Sequence, residues 1–260
     1  MAAKVLDRSA ATVPRPLLEA VVEHYDPVEV ILFGSRARGD AGLDSDWDLL
    51  VVTDDAAAGR PLERPPIWPA DATVIPCSRS GFEHDRDLVG TLANMADEYG
   101  LVVWRRQGVP AAVGGRRRSV TPEERWRVAE RWLARAEHDL EAARILLPLG
   151  EGQLDNAAFH LQQAAEKVLK CILAGGGRHF RKVHGLGELA SWASEMHPDL
   201  AADLAADLGE LDPYTSWVAA GRYPDARTRV PITRATVETL LARCVGLLGR
   251  ARALAPADKG

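Results

Sequence analysis

The stretch VEVILFGSRARGDAGLDSDWDLLVVT, residues 28–53, decides how the first half of the chain is read. Val28 to Phe33 is an apolar, β-branched run that stops at Gly34, and Asp48 to Thr53 is a second run of strand length, so two neighbouring buried strands are predicted. Between them Gly34-Ser35 stands at a strand end. Without a side chain, Gly34 lets a phosphate approach the backbone, and Ser35 offers a hydroxyl and an amide at the start of the following turn. Ten residues after Ser35 comes Asp46-Trp47-Asp48. Strand alternation puts both carboxylates on one face and Trp47 on the other. Two like charges side by side call for a cation between them, and a hard divalent ion such as Mg²⁺ answers that need while keeping sites for water and phosphate.

Outward from this segment, helix and strand patterns alternate. Leu17, Leu18, Val21, Val22 and Tyr25 follow Pro16 at helical spacing, which predicts a short helix over 16–25. A Pro-rich loop spans 54–69, and DATVIP, residues 71–76, is a third strand candidate ended by its proline. A helix is predicted over 86–99 from Leu88, Leu92, Met95 and Ala96, and LVVW at 101–104 supplies a closing strand. Asp71, at the head of the third strand, is the third carboxylate expected to complete a two-ion site with Asp46 and Asp48. Asp54 and Asp55 lie at the far end of the Asp46 strand, and Asp44 precedes it as a turn former. Arg36 and Arg38 have two readings, as neutralisers of triphosphate charge or as solvent-facing cations.

GSRARGDAGLDSDWDLLVV resembles the signature of the minimal nucleotidyltransferases of the DNA polymerase β superfamily: Gly-Ser, ten residues, Asp-x-Asp. The resemblance covers residues 15–105 and implies an α+β domain with a small mixed sheet. It implies Asp46 and Asp48 as metal ligands, Gly34 and Ser35 as the nucleotide-phosphate contact, and Asp71 as the carboxylate that orients or deprotonates the attacking hydroxyl. The implied reaction is Mg²⁺-dependent transfer of a nucleoside monophosphate, AMP first among them, from an NTP to a hydroxyl of a protein or small molecule, with two ions. Trp47 departs from the aliphatic residue usual between the two aspartates.

QGVPAAVGGRRRS, residues 107–119, has the Gly, Pro and Arg content of a linker, and Arg116, Arg117 and Arg118 read as a solvated face of it. The expected organisation is a nucleotidyltransferase domain over 1–107, a linker over 108–120 and a helical domain over 121–260. Thr121-Pro122-Glu123-Glu124 is a capping box that opens a long helix carrying Ala129, Leu133, Ala136, Leu140, Ala143 and Leu147 on one stripe. A second helix from about Asp155 buries Ala157, Leu161, Ala164, Val168 and Ile172 until Gly175-Gly176-Gly177. Small residues on the facing stripes and a short connection predict an antiparallel pair. Further helices are expected near 184–196, 199–209 and 232–254, making an all-α bundle. Its fragments AAFHLQQAAEKVLKCIL at 157–173, HGLGEL at 184–189 and GRYPDA at 221–226 resemble a HEPN domain, a resemblance that implies dimerisation and, in some branches, RNA cleavage. Such cleavage uses an Arg and a His four to six residues apart in a late helix, and Arg222 has no such partner because no His follows His197; Arg178 and His184 flank a turn instead. His160, Gln163, Lys167 and Lys170 follow helical spacing and either line a groove for nucleotide or acceptor or form an ordinary polar face. Trp126, Trp132, Trp192 and Trp217 read as core or dimer contacts.

Composition bounds these readings. The 260 residues carry 32 Lys and Arg against 37 Asp and Glu, a formal charge of −5, and neither half is basic: 14 cations face 18 acids through residue 120, and 18 face 19 beyond it. Nonspecific polyanion binding is thereby disfavoured, since counterion release needs a surplus of clustered cations. No apolar run approaches the ~18 residues of a membrane span. The N-terminus lacks a secretory pattern, and Cys77, Cys171 and Cys244 form no CxxC pair, so a reduced, cytoplasmic protein is expected. A regulatory module of toxin–antitoxin type that senses nucleotide is the rival reading to the enzyme.

Overall fold

A computed structural model describes residues 13–42, 45–54, 70–115, 117–180, 185–200 and 233–256. The chain divides into two compact units, residues 1–120 and 121–260. The first is built on a four-stranded mixed sheet with the order β3-β2-β1-β4. Its strands are β1 (Glu29–Phe33), β2 (Trp47–Thr53), β3 (Ala72–Ser78) and β4 (Leu101–Arg105). β1 runs antiparallel to β2 and β4, whereas β3 runs parallel to β2. Helices α1 (Arg15–Tyr25), α2 (Gly34–Arg38), α3 (Arg79–Asp85) and α4 (Leu92–Tyr99) complete the unit.

Alternation along the two central strands sorts the core. Val30, Leu32, Leu49 and Val51 join Leu17 and Val21 of α1 and Ala37 of α2 on one face. Ile31, Leu50 and Val52 join Phe82 of α3 and Ala93 and Ala96 of α4 on the other. Ile31, Leu32, Leu49, Leu50 and Phe82 are fully buried, so truncating any one of these side chains to Ala costs about 2–5 kcal/mol. The same parity sends Trp47 toward the α1 face, where it packs on the core, and Asp48 to the opposite face.

Three elements differ from the sequence expectation. β3 runs through Pro76 to Ser78, because on an edge strand a missing N–H need not break a ladder. The helix expected over 86–99 is shorter: residues 86–91 form turns, Thr91 caps α4 by accepting from the Asn94 amide, and a further helix, α3, capped by Ser78, precedes the expected span. The third difference is the segment after β4. Its Gly and Pro content predicts a solvated linker, yet carboxylates of the first unit knit it down. Glu29, fully buried, accepts from the backbone N–H of Ala112 (2.9 Å) and Val113 (3.0 Å) and from Arg105. Asp97 accepts from the Gly114 N–H (2.9 Å) and pairs with Arg117 (2.6 Å), which also reaches Asp87 (3.3 Å). Arg117 is therefore an anchor, not a solvated linker charge. The acids that hold this segment come from β1, the 86–91 turns and α4, distant in sequence from the arginines they meet.

The second unit is helical: α5 (Pro122–Leu146), α6 (Leu154–Gly176), α7 (Leu186–Met196) and α8 (Arg234–Ala253). The capping box at Thr121 and Glu124 forms as the sequence predicts. At the far end of α6, Gly177 takes φ +73°, the left-handed cap that favours glycine. α5 and α6 make the main packing of the bundle, with α7 and α8 also against α6, so α6 is buried on several sides. One buried stripe of α6 is polar and self-satisfied. Lys170 donates to Glu166 (2.6 Å), Gln162 reaches the other Glu166 oxygen (3.4 Å), and the Lys170 ammonium lies 5.3 Å from the Trp132 ring centroid. Pro198–Leu200 form a 3-10 turn, and the rest of the helix expected near 199–209, with Trp217 and Arg222, falls outside the described residues.

Replacing Glu29 by Ala strips two buried amides of their acceptor. The expected loss is about 3 kcal/mol in chemical denaturation, with faster proteolysis within 106–115 than at any other part of the first unit; an unchanged midpoint would contradict the anchoring role.

Candidate active site

The site lies where β1 ends, α2 turns away and β2 begins. Phe33 is paired with Asp48 in the antiparallel register, so Gly34 falls directly beside the Asp48 side chain. Gly34 takes φ +75°, and a Cβ built on it would stand 2.0 Å from Asp48 Oδ2. Both the backbone angle and the space demand glycine here. The carboxylate is thereby pressed against bare backbone at the N-terminus of α2. Ser35 follows, half-buried, its hydroxyl without a hydrogen bond among the described residues.

Asp46 stands just before β2 on the side of Asp48 and is exposed; among the described residues it has no hydrogen-bond or ion-pair partner. Asp71 immediately precedes β3. Its carbonyl accepts from the Trp47 N–H (3.0 Å), and the parallel register Trp47↔Ala72 sets it one strand over from Asp46. The three acids thus share one corner of the sheet. Among the described residues, no three His, Cys, Asp or Glu side chains gather into one cluster. Asp46 and Asp71 both precede their strands and are exposed, whereas Asp48 is part of β2 and half-buried.

The arginines of α2 are placed differently from the triphosphate reading. The Arg36 guanidinium lies 4.1 Å from the Trp47 ring centroid and donates through Nε to the Ser45 carbonyl (2.8 Å). This gives Trp47 its use: the aromatic ring holds Arg36, which ties Ser45 back to α2. Arg38 forms a two-pronged pair with Asp40, with contacts of 3.1 Å. Arg36 is therefore spent on the fold, and Arg38 on a surface pair that a competing anion can displace.

The polar stripe of α6 also resolves. His160 Nδ1 donates to Asp139 Oδ1 of α5 (2.9 Å), Lys167 binds the other Asp139 oxygen, and Gln163 donates to Gln162 (2.7 Å). Lys170 leaves this group for buried Glu166. Asp139 was the residue sequence reading missed; its spacing on α5 carried no signal until α6 was packed against it. Cys171 and Cys77 are free thiols pushed up to about 12 by burial, with Glu130 and Asp85 respectively adding to the shift, so neither is a nucleophile near neutral pH.

A glycine-backed carboxylate, with a second acid on the same side of its strand, thus stands at one corner of the small mixed sheet. Residues 15–89 match the family described as nucleotidyltransferase domain, and residues 129–253 match the HEPN domain family. The chain therefore carries an N-terminal nucleotidyltransferase domain followed by a C-terminal HEPN domain. Among solved structures, that of a nucleotidyltransferase-like protein from Exiguobacterium sibiricum 255-15 is similar over 90% of this chain and 74% of its own, with 13% identity and a TM-score of 0.42. No curated protein matches. Among the described residues no helix is long and apolar enough to cross a membrane.

Gly34→Ala is expected to push the Asp48 carboxylate out of position. The fold should survive with a loss of about 1–2 kcal/mol, while nucleotidyl transfer falls at least ~100-fold. Thermal melts and transfer assays on the same preparation separate the two effects.

Proposed function

We propose that the first unit transfers a nucleoside monophosphate from an NTP, with ATP as the first donor to test, to a hydroxyl on a protein or small-molecule acceptor. The observation that supports this reading most is the Asp48 carboxylate held against the Gly34 backbone with Asp46 on the same side of β2. The donor set fits a hard divalent cation: it consists of carboxylate oxygens, and no cationic side chain neutralises Asp46 among the described residues. Asp46 and Asp48 would hold magnesium, which supplies charge neutralisation for the triphosphate and lowers the pKa of the attacking hydroxyl. Gly34 and Ser35 admit the phosphates close to the backbone, since at this turn no Cβ stands in the way and the Ser35 hydroxyl is open to donate. Asp71, one strand over, is assigned to orienting the acceptor hydroxyl and drawing its proton. Arg38 reaches the donor only by exchanging Asp40 for phosphate, a replacement of one anion by a stronger one.

The fixed position of Asp48 matters more than its charge alone. In-line displacement depends on the reacting oxygen and phosphorus being held in register, and a carboxylate wedged on backbone has few alternative rotamers. Asp46 and Asp71, by contrast, are exposed and are ordered by what binds between them. The second unit is proposed to bind the acceptor or to form a homodimer, and self-modification within such a pair would make the protein part of a toxin–antitoxin-type regulatory system.

Incubation with α-phosphate-labelled ATP and Mg²⁺ tests the reading. Asp46→Asn and Asp48→Asn should each abolish label transfer to protein or small molecule with the melting temperature unchanged, and Asp71→Asn should lower it by a smaller factor. Undiminished transfer in the first two variants refutes the assignment.

A further inference from the structure

The N-terminal half of α5 borders a cavity that neither the carboxylate corner nor the polar stripes of α6 use. α8 runs back along α5: Arg234 at its start donates to the Leu147 carbonyl (2.7 Å), and Arg252 at its end pairs with Glu137. Because α8 ends at Ala253, near the level of Glu137, the first turns of α5 extend beyond it. In the space so left lies a cavity of about 330 Å³, walled by Trp126, Glu130, Leu133 and Ala134 of α5 and closed by the Glu137–Arg252 pair and Ala255. The α5 positions recur at helical spacing, so a single helix face supplies a whole wall. Such a volume suits a small molecule rather than a chain segment.

The walls select the charge of an occupant. Glu130 has no hydrogen-bond or ion-pair partner among the described residues. Glu137 is paired with Arg252, whose side chain is 58% exposed, and a pair so open to water is a weak one. Two carboxylates against one guanidinium leave the lining at −1. The C-terminal end of α8, negative by the sum of its peptide dipoles, borders the same space.

The body of the occupant is selected too. Leu133 is buried, Ala134 presents only a methyl group, and half-buried Trp126 rests against Gly175 of α6, where a Cβ would come within 3.1 Å of the indole. Gly175 thereby seats the ring while the same residue lines the cavity. An indole beside a carboxylate attracts an organic ammonium twice, through the ring quadrupole and through the acid. An inorganic cation makes no use of Leu133 and Ala134, and an anion meets two carboxylates.

We propose that this cavity binds a small organic monocation, a protonated amine on an apolar body, with the ammonium between Glu130 and the Trp126 ring and the hydrocarbon over Leu133 and Ala134. The site requires none of the groups assigned to nucleotidyl transfer, so it stands or falls separately from that reading.

Phenethylamine and its neutral analogue phenethyl alcohol are titrated separately into the full chain at neutral pH, with calorimetry for affinity and saturation-transfer NMR for contact. The amine is expected to bind saturably and about tenfold or more tighter than the alcohol. Glu130→Gln keeps the shape of an exposed side chain without its charge. Its melting temperature should match that of the parent while the advantage of the amine over the alcohol disappears. Ala134→Phe, also at an exposed position, should fill the cavity and exclude both probes with the fold intact, as read by melting temperature. Overturning results are an amine that does not saturate at millimolar concentration, equal affinity for amine and alcohol in the parent, or a Glu130→Gln protein that binds the amine as the parent does. Amine binding that survives Glu130→Gln but is lost when Asp46→Asn and Asp48→Asn are combined moves the amine to the sheet corner and equally overturns the cavity site.

Discussion

The first unit depends on one steric fact: the Asp48 carboxylate and the backbone of residue 34 occupy adjoining space, and only a glycine with positive φ leaves room for both. The contact follows from the antiparallel register of β1 and β2, which sets the end of one strand against the start of the other. That register is in turn held by burial, because a slip of one residue would send Leu49 and Val51 to the wrong face of the sheet. Core packing and chemistry are thereby coupled. The same two strands that bury the largest aliphatic side chains of the unit aim its acids at solvent.

Across the first unit the polar groups divide by how firmly they are held. Asp48 is wedged, Arg36 is stacked and hydrogen-bonded, and Glu29 is fully buried and occupied by two amides and an arginine. Asp46 and Asp71 stand in water. Such an arrangement fixes the buried and half-buried groups and leaves Asp46 and Asp71 exposed at the corner of the sheet. The desolvation cost of Glu29 is offset because all its partners are donors, two of them amides that would otherwise be buried without an acceptor.

In the helical unit the organising element is α6, surrounded by α5, α7 and α8. Its two polar stripes are treated differently by the packing. Gln162, Glu166 and Lys170 are buried and satisfy one another, whereas His160, Gln163 and Lys167 sit at the seam and share Asp139 with α5. Helical spacing alone assigns both stripes to polar faces. Only the rotation of α6 about its axis, set by where α5 lies, separates a buried network from a seam open on one side.

Local patterns were legible wherever a single segment carried its own reason. The β-branched runs of β1 and β2, the Gly34-Ser35 turn, the Asp46-Trp47-Asp48 alternation, the capping box at Thr121 and the glycine stop after α6 all follow from neighbouring residues and from periods of 2 and 3.6. What they could not contain is any fact about a partner distant in sequence. Linker-like composition at 107–119 says nothing of Glu29, Asp87 and Asp97, which hold that segment. The helix pattern at 86–99 does not foresee that Thr91 will cap a shorter one, and Arg36 keeps two readings, phosphate ligand or solvent-facing cation, until Trp47 is brought beneath it. The sequence by itself determined the two domain types, the strand–turn–strand corner and the acids it presents. The tertiary structure alone decided which charged side chains are spent on the fold and which are left for a ligand, because that depends on long-range neighbours and on the desolvation they impose.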